Sequence, residues 1–267
     1  MRGLADIYAQ ELKTGIASML QYRATLFIYL IGNVLEPLIY LVVWSTVSRS
    51  SGGSIGGYAP GDFAAYYIVL MLVNQATFTW VMYEFDYRIR EGTFSAILLH
   101  PVHPIHADIA VNLSSKVVSL PVMAAAAAGL TAIFHPALKL TLWTAVAFVP
   151  AVVLAFLVRF LVEWTIALAA FWTTRVTAIN QIHFMAMLFF SGQIAPLAVL
   201  PRPLQIVATI LPFRWTIGFP VELVLGRLTG GQILTGFAAQ AAWLIAALAI
   251  LKLAWRASVK NYSAVGG

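Results

Sequence analysis

LWTAVAFVPAVVLAFLVRFLVEWTIALAAFW, from Leu142 to Trp172, contains Arg159 and Glu163 and no other Asp, Glu, Lys or Arg. About 20 apolar residues in a helix, at about 1.5 Å each, cross a hydrocarbon core of about 30 Å, so this stretch is long enough to span a membrane. Its apolar residues run on without the period-two alternation of a barrel strand, which disfavours a spanning strand. The two charges stand four residues apart, on one helix face, where a guanidinium and a carboxylate can pair.

The rest of the chain has the same character. Of 267 residues, 61% are hydrophobic and 10% charged, with a mean hydropathy of +0.87, well outside the range of soluble domains. Six segments are long and apolar enough to cross: residues 25–47, 63–83, 107–134, 142–172, 179–200 and 233–255. The expected fold is a single all-α integral membrane domain. Residues 1–22 place Leu4, Ile7, Tyr8, Leu12, Ile16 and Met19 on one helical face, which predicts an interfacial amphipathic helix rather than a cleaved signal; a surface helix packed on protein is the alternative. Residues 201–232 are apolar but interrupted by Pro201, Pro203, Pro212 and Pro220. Backbone broken in this way must be covered by protein, so short helices that enter the outer leaflet and return are expected.

The net charge of +6 is spread along the chain without a basic run, which argues against nucleic-acid binding and for anchoring beside anionic lipid. Arg2, Lys13, Arg23, Arg88, Arg90, Arg175, Lys252, Arg256 and Lys260 fall on one side of the six crossings, against Arg49, Lys139, Arg202, Arg214 and Arg227 on the other. The bias predicts a multi-pass plasma-membrane protein with both termini in the cytoplasm. Lys116 and Arg159 lie within spans and take no part in that comparison.

Catalytic signatures are missing from the chain. A P-loop holds phosphates with a Gly-Lys-Ser/Thr sequence, and none of Lys13, Lys116, Lys139, Lys252 and Lys260 follows a glycine. No zinc helix, nucleophile elbow or cysteine occurs, so neither ATP nor another cofactor is expected on this chain. His100, His103 and His106 are spaced three apart around Pro101 and Pro104. On an extended path their backbones stand about 9 Å apart, too far to converge on one ion, and no metal is expected.

Charged residues within spans cost free energy wherever lipid is their only neighbour. Glu36, Arg159 and Glu163 are therefore either a structural lock or part of a polar pathway. Trp44, Asn74, Phe78, Asn180, Met185, Met187 and Phe189 are candidates to line a cavity; packing and interhelical hydrogen bonds are the plainer reading of the same residues. The stretch Arg90-Glu91-Gly92-Thr93-Phe94, followed by Ile97, Leu98, Leu99 and Pro101, leaves the second span with charge, turns at a glycine and shows a short apolar face. Such a face suits a docking element for a soluble partner, or a short helix on the membrane surface.

Two stretches carry a family resemblance. Glu91-Gly92-Thr93 with Leu98-Leu99-His100-Pro101 is one. Ser191-Gly192-Gln193, Pro196-Leu197, Leu200-Pro201, Leu211-Pro212-Phe213, Pro220 and Gly226 form the other. With the order of parts over essentially the whole chain, they resemble permease subunits of type-2 ATP-binding-cassette (ABC) exporters, in the branch grouped with daunorubicin- and viologen-type efflux systems; His100 stands where arginine is commoner. The resemblance implies that the segment 86–104, centred on Arg90 to Pro101, is a coupling helix received by a separate ABC ATPase, which would bind the ATP and magnesium. It also implies a second permease, identical or paralogous, and export by alternating access through a path between the two. A gradient-driven transporter relaying charge through Glu36, Arg159 and Glu163 is the other reading of the intramembrane charges.

Overall fold

A computed structural model describes residues 4–138, 140–173 and 176–261, with the backbone alone for Arg23, Leu26 and Asn261. Of the loop charges weighed above, Arg2, Lys139 and Arg175 lie outside the described residues.

The chain runs through α1 (Leu4–Gln21), α2 (Arg23–Ser50), α3 (Pro60–Thr77), α4 (Val81–Arg90), α5 (Phe94–Leu98) and α6 (Ile105–Phe134). It continues through α7 (Leu142–Ala167), prolonged by a 3-10 turn at Leu168–Phe171, and α8 (Val176–Phe190). A 3-10 turn at Leu197–Val199 leads to α9 (Arg202–Ile210), α10 (Phe213–Thr216), α11 (Gly218–Val224) and α12 (Gly230–Asn261). No strand occurs among the described residues, only a bridge between Ile55 and Tyr58.

The centre of the bundle is α3, buried on every side from Phe63 to Met71. It packs against α2, α6, α7 and α11, which explains why its sequence is apolar all round rather than on one stripe. At one end of the bundle, α1 lies along α6, with the Tyr8 hydroxyl 3.1 Å from His106 Nδ1, and the His103 ring lies 4.5 Å from that of Trp255 near the end of α12. Gly15 makes the α1–α6 approach possible, since a Cβ there would sit 2.2 Å from Ser114 Oγ. At the opposite end, Ala137 N donates to Gly61 O at 3.0 Å and Arg227 pairs with Asp62 at 2.9 Å. Arg214 pairs with Glu222 at 3.3 Å, so two of the cations attributed to the Pro201–Gln232 segment are held inside the fold.

Two crossings depart from the expected continuous helices. The second divides into α3 and α4, with Phe78, Thr79 and Trp80 non-helical between them. The fifth, expected over 179–200, is helical only over Val176–Phe190, 15 residues or about 22 Å long. Five helical stretches are long and apolar enough to cross alone, and α8 is not among them. Beyond α8 the chain turns at Gly192, whose φ is +95°.

That second interruption is largely buried, and side chains bond two of its carbonyls. Tyr66 Oη donates to Gly192 O at 2.9 Å, Tyr67 Oη to Ile194 O at 2.6 Å, and Trp44 Nε1 to the same Ile194 oxygen at 2.7 Å. After it, α11 is buried throughout between α3 and α7. Gln240 on α12 donates to Ala151 O at 2.9 Å and to Trp215 O at 2.8 Å, which ties the segment down from the last crossing. Protein therefore covers the segment around Pro212 and Pro220, while Pro201, Pro203 and most of α9 are exposed.

Candidate functional site

The break between α3 and α4 frees the Phe78 carbonyl in the bundle interior, where Lys116 meets it and a charged pair holds the side chains around it. Lys116 on α6 donates to Phe78 O at 2.8 Å while its ammonium stands 4.7 Å from the centre of the Phe156 ring. A cation over the last turn of α3 also opposes the helix dipole where its carbonyls end. From α7, Arg159 Nε pairs with Glu163 Oε1 at 2.8 Å, and its terminal nitrogen donates to Asn74 Oδ1 at 2.9 Å and Thr77 Oγ1 at 3.2 Å. The Thr79 hydroxyl donates to Glu163, and His183 Nε2 on α8 stands 3.4 Å from the same carboxylate.

Four helices and one break therefore share a polar knot. Arg159 and Glu163 are buried at 7% and 4% exposure, so each depends on the other and on neutral hydrogen-bonding neighbours. Sequence reasoning named Arg159, Glu163 and Asn74, but passed over Lys116, Thr77, Thr79 and His183. Lys116 carried its own signal, being an intramembrane lysine, which by default needs a named partner. Its partner is a main-chain carbonyl that becomes available only because the helix stops.

Two small cavities flank the knot. A cavity of about 40 Å³ is lined by Phe78, Thr79, Arg159, Glu163, Asn180 and Met187, among others. A smaller one, about 10 Å³, is lined by Asn33, Glu36, Tyr40, Leu70, Asn74 and Gln193. Asn74, Phe78, Asn180 and Met187 are thus brought together around the knot. Trp44 is placed elsewhere, stacked on Phe63 and bonded to Ile194 O. Met185 and Phe189 are half exposed on the outer face of α8, because a helix that buries Asn180 and Met187 turns 185 and 189 away.

Glu36 is exposed near the middle of α2, on a face that also exposes Ile31, Leu35, Ile39 and Val43. No ion pair reaches it among the described residues. A charge at the bilayer centre costs about 2.5–3.5 kcal/mol on insertion scales, so this face does not suit lipid.

The segment after α4 differs from the expected apolar face. Phe94 is fully buried, its ring 5.1 Å from Phe85 and 5.3 Å from Phe171. Ile97 and Leu98 are partly buried against the same cluster, which includes Trp164 and Leu251. Leu99, at 87% exposure, is the large apolar side chain the segment presents outward, beside the exposed Ala96. The apolar residues of this five-residue helix mostly anchor it to the bundle, and its outward surface is Ala96 and Leu99 with the polar residues around them. Gly92 takes φ +69°, the turn that lets α5 fold back.

Below α5, Arg88 bridges Glu84 at 3.3 Å and Asp108 at 2.7 Å, while Trp164 Nε1 donates to Asp108 at 2.9 Å. The three histidines have separate surroundings: His100 is exposed, His103 stacks on Trp255 and Trp164, and His106 meets Tyr8. Burial pushes the His103 imidazole below its ordinary value, with His106 adding to the shift and Asp108 opposing it.

No curated protein matches the chain. Residues 34–266 match the family described as ABC-2 family transporter protein, from the middle of α2 through the broken crossings to the last helix. The chain is therefore a member of the ABC-2 transporter family, a multi-pass permease of the ABC class.

Proposed function

We propose that this chain is one permease of an exporter in which a separate ABC ATPase, binding ATP and magnesium, drives alternating access, and in which a second permease, identical or paralogous, covers the exposed face of α2. The carrying observation is Glu36, a carboxylate exposed at mid-span on an otherwise apolar face. Protein or a hydrated path must cover it, because neither lipid nor this chain does. A second permease facing it would set Glu36, Asn74 and the Arg159–Glu163 knot beside a shared path for an amphiphilic or hydrophobic substrate, of the kind that multidrug efflux handles.

In this reading the end of the bundle holding α1, α5 and the end of α12 faces the cytoplasm of a cell bounded by its plasma membrane. The outward surface of α5, with Arg90, Glu91, Thr93, Leu99 and Pro101, receives the ATPase. Phe94, Ile97 and Leu98 then carry its movement into α4 and α7 through the aromatic cluster they already join. ATP-driven closure would favour the outward-open state only to the extent that the ATPase binds that state better.

The chain has no cysteine, so single-cysteine crosslinking reads cleanly. Ile39→Cys, beside Glu36 on the exposed face, should form a crosslink within the assembled exporter to a second permease. Leu99→Asp should lower ATPase co-purification about tenfold or more while leaving the permease folded. A permease that transports at full rate alone, with no ATPase attached, would overturn the reading.

A further inference from the structure

A cleft of about 450 Å³, distinct from the two small cavities beside the knot, lies between the α1–α2 corner, α4 and α6. Met19, Tyr29, Phe78, Val81 and Val111 give it an apolar length. Phe78 closes its inner end and separates it from the cavity beside Arg159 and Glu163. Its outer end is polar in a particular way. Asp108 is occupied by both Arg88 and Trp164, but Glu84 has a single contact, at 3.3 Å with Arg88, and stays 46% exposed. One positive and two negative groups leave this rim with one net negative charge. Nearby, the hydroxyls of Ser18, Tyr22 and Thr25 also line the cleft, and none has a hydrogen-bond partner among the described residues.

An apolar trough, a carboxylate with accepting capacity and a row of free hydroxyl donors together match a zwitterionic amphiphile. We propose that this cleft binds one phospholipid with a primary-ammonium headgroup, drawn from the leaflet in which α1 lies. The ammonium donates to Glu84, phosphate oxygens accept from Ser18, Tyr22 and Thr25, and one acyl chain follows Tyr29 towards Phe78. A choline headgroup has no N–H to donate to Glu84, and a glycerol headgroup leaves the negative rim facing a net anion; both should bind less well. The bound chain would touch the α3–α4 break from the side opposite the knot. This site does not depend on the pairing of permeases.

The test uses the full chain, purified in mild detergent and equilibrated with equal parts of phosphatidylethanolamine, phosphatidylcholine and phosphatidylglycerol, with bound lipid read by native mass spectrometry. Retention of a single phosphatidylethanolamine about tenfold over the other two is the expected result. Glu84→Gln should reduce it to the level of phosphatidylcholine, and Ser115→Trp, which fills the cleft, should remove it while the melting temperature holds. Equal retention of the three lipids overturns the proposal, as does preference for phosphatidylglycerol. So does unchanged selectivity in Glu84→Gln, a rim variant whose folding is not at stake.

Discussion

The two interrupted crossings solve the same problem with different chemistry. Between α3 and α4, the freed carbonyl of Phe78 is met by Lys116, and the Arg159–Glu163 pair holds the threonine and asparagine side chains that flank the break. After α8, the freed carbonyls of Gly192 and Ile194 are met by neutral phenol and indole groups of Tyr66, Tyr67 and Trp44. Neutral donors cost less to bury and hold one geometry. Charged groups cost more and keep their value only while every partner is present. The fifth crossing therefore reads as a fixed clamp, and the second as a joint whose polar partners touch four helices and the small cavity beside them.

The largest effect should come from halving the charged pair. Arg159→Met leaves Glu163 buried without its counter-ion and should cost about 3–5 kcal/mol, read as loss of monodisperse protein in fluorescence-detected gel filtration. Arg159→Met with Glu163→Leu should recover much of that loss in stability but not in transport. Full recovery of both would reduce the knot to a structural lock.

Next comes the clamp. Gly192→Ala puts a Cβ 2.4 Å from the Tyr66 hydroxyl at φ +95°, and strain of this kind costs about 1–3 kcal/mol. A thermal shift of that order is expected; a neutral result would show that the turn after α8 relaxes freely. Tyr66→Phe and Lys116→Met then compare the breaks directly, since each removes one donor from a freed carbonyl at a cost of about 1–3 kcal/mol. The two should destabilise alike, yet Lys116→Met alone should change the transport rate. If Tyr66→Phe slows transport as much, the distinction between clamp and joint fails.

The smallest effect involves His103, which belongs to neither break. Its imidazole is held below the ordinary value of 6.5 by burial, so the unfolded chain binds the proton more readily. Stability is fully present above 6.5 and declines as pH falls through it. Melting temperatures across that range should show the decline in the natural chain and less of it in His103→Phe.

Much of this was legible along the chain. Arg159 and Glu163 declared their pairing by spacing alone, because a helix sets residues four apart on one face whatever surrounds it. The break in the helices over Pro201–Gln232 declared itself by prolines in an apolar run, and its middle, through α11, is buried. Trp44, Met185 and Phe189 stand apart from the cavities beside the knot, which residue type could not tell, because it says nothing about which face of a helix meets which neighbour. Phe94 was misread for a related reason: a short apolar helix looks alike whether its face is offered to a partner or folded against its own bundle. Its partners, Phe85 and Phe171, lie in other helices.

By itself the sequence determined a polytopic α-helical membrane protein that keeps a few charges inside, since hydropathy, helical spacing and the cost of unpaired charge are local quantities. Only the tertiary structure decided where helices stop, because residues 78–80 are as apolar and aromatic as many that stay helical. A break becomes tolerable only when side chains from elsewhere, here Lys116 and Tyr66, arrive to bond the carbonyls it exposes.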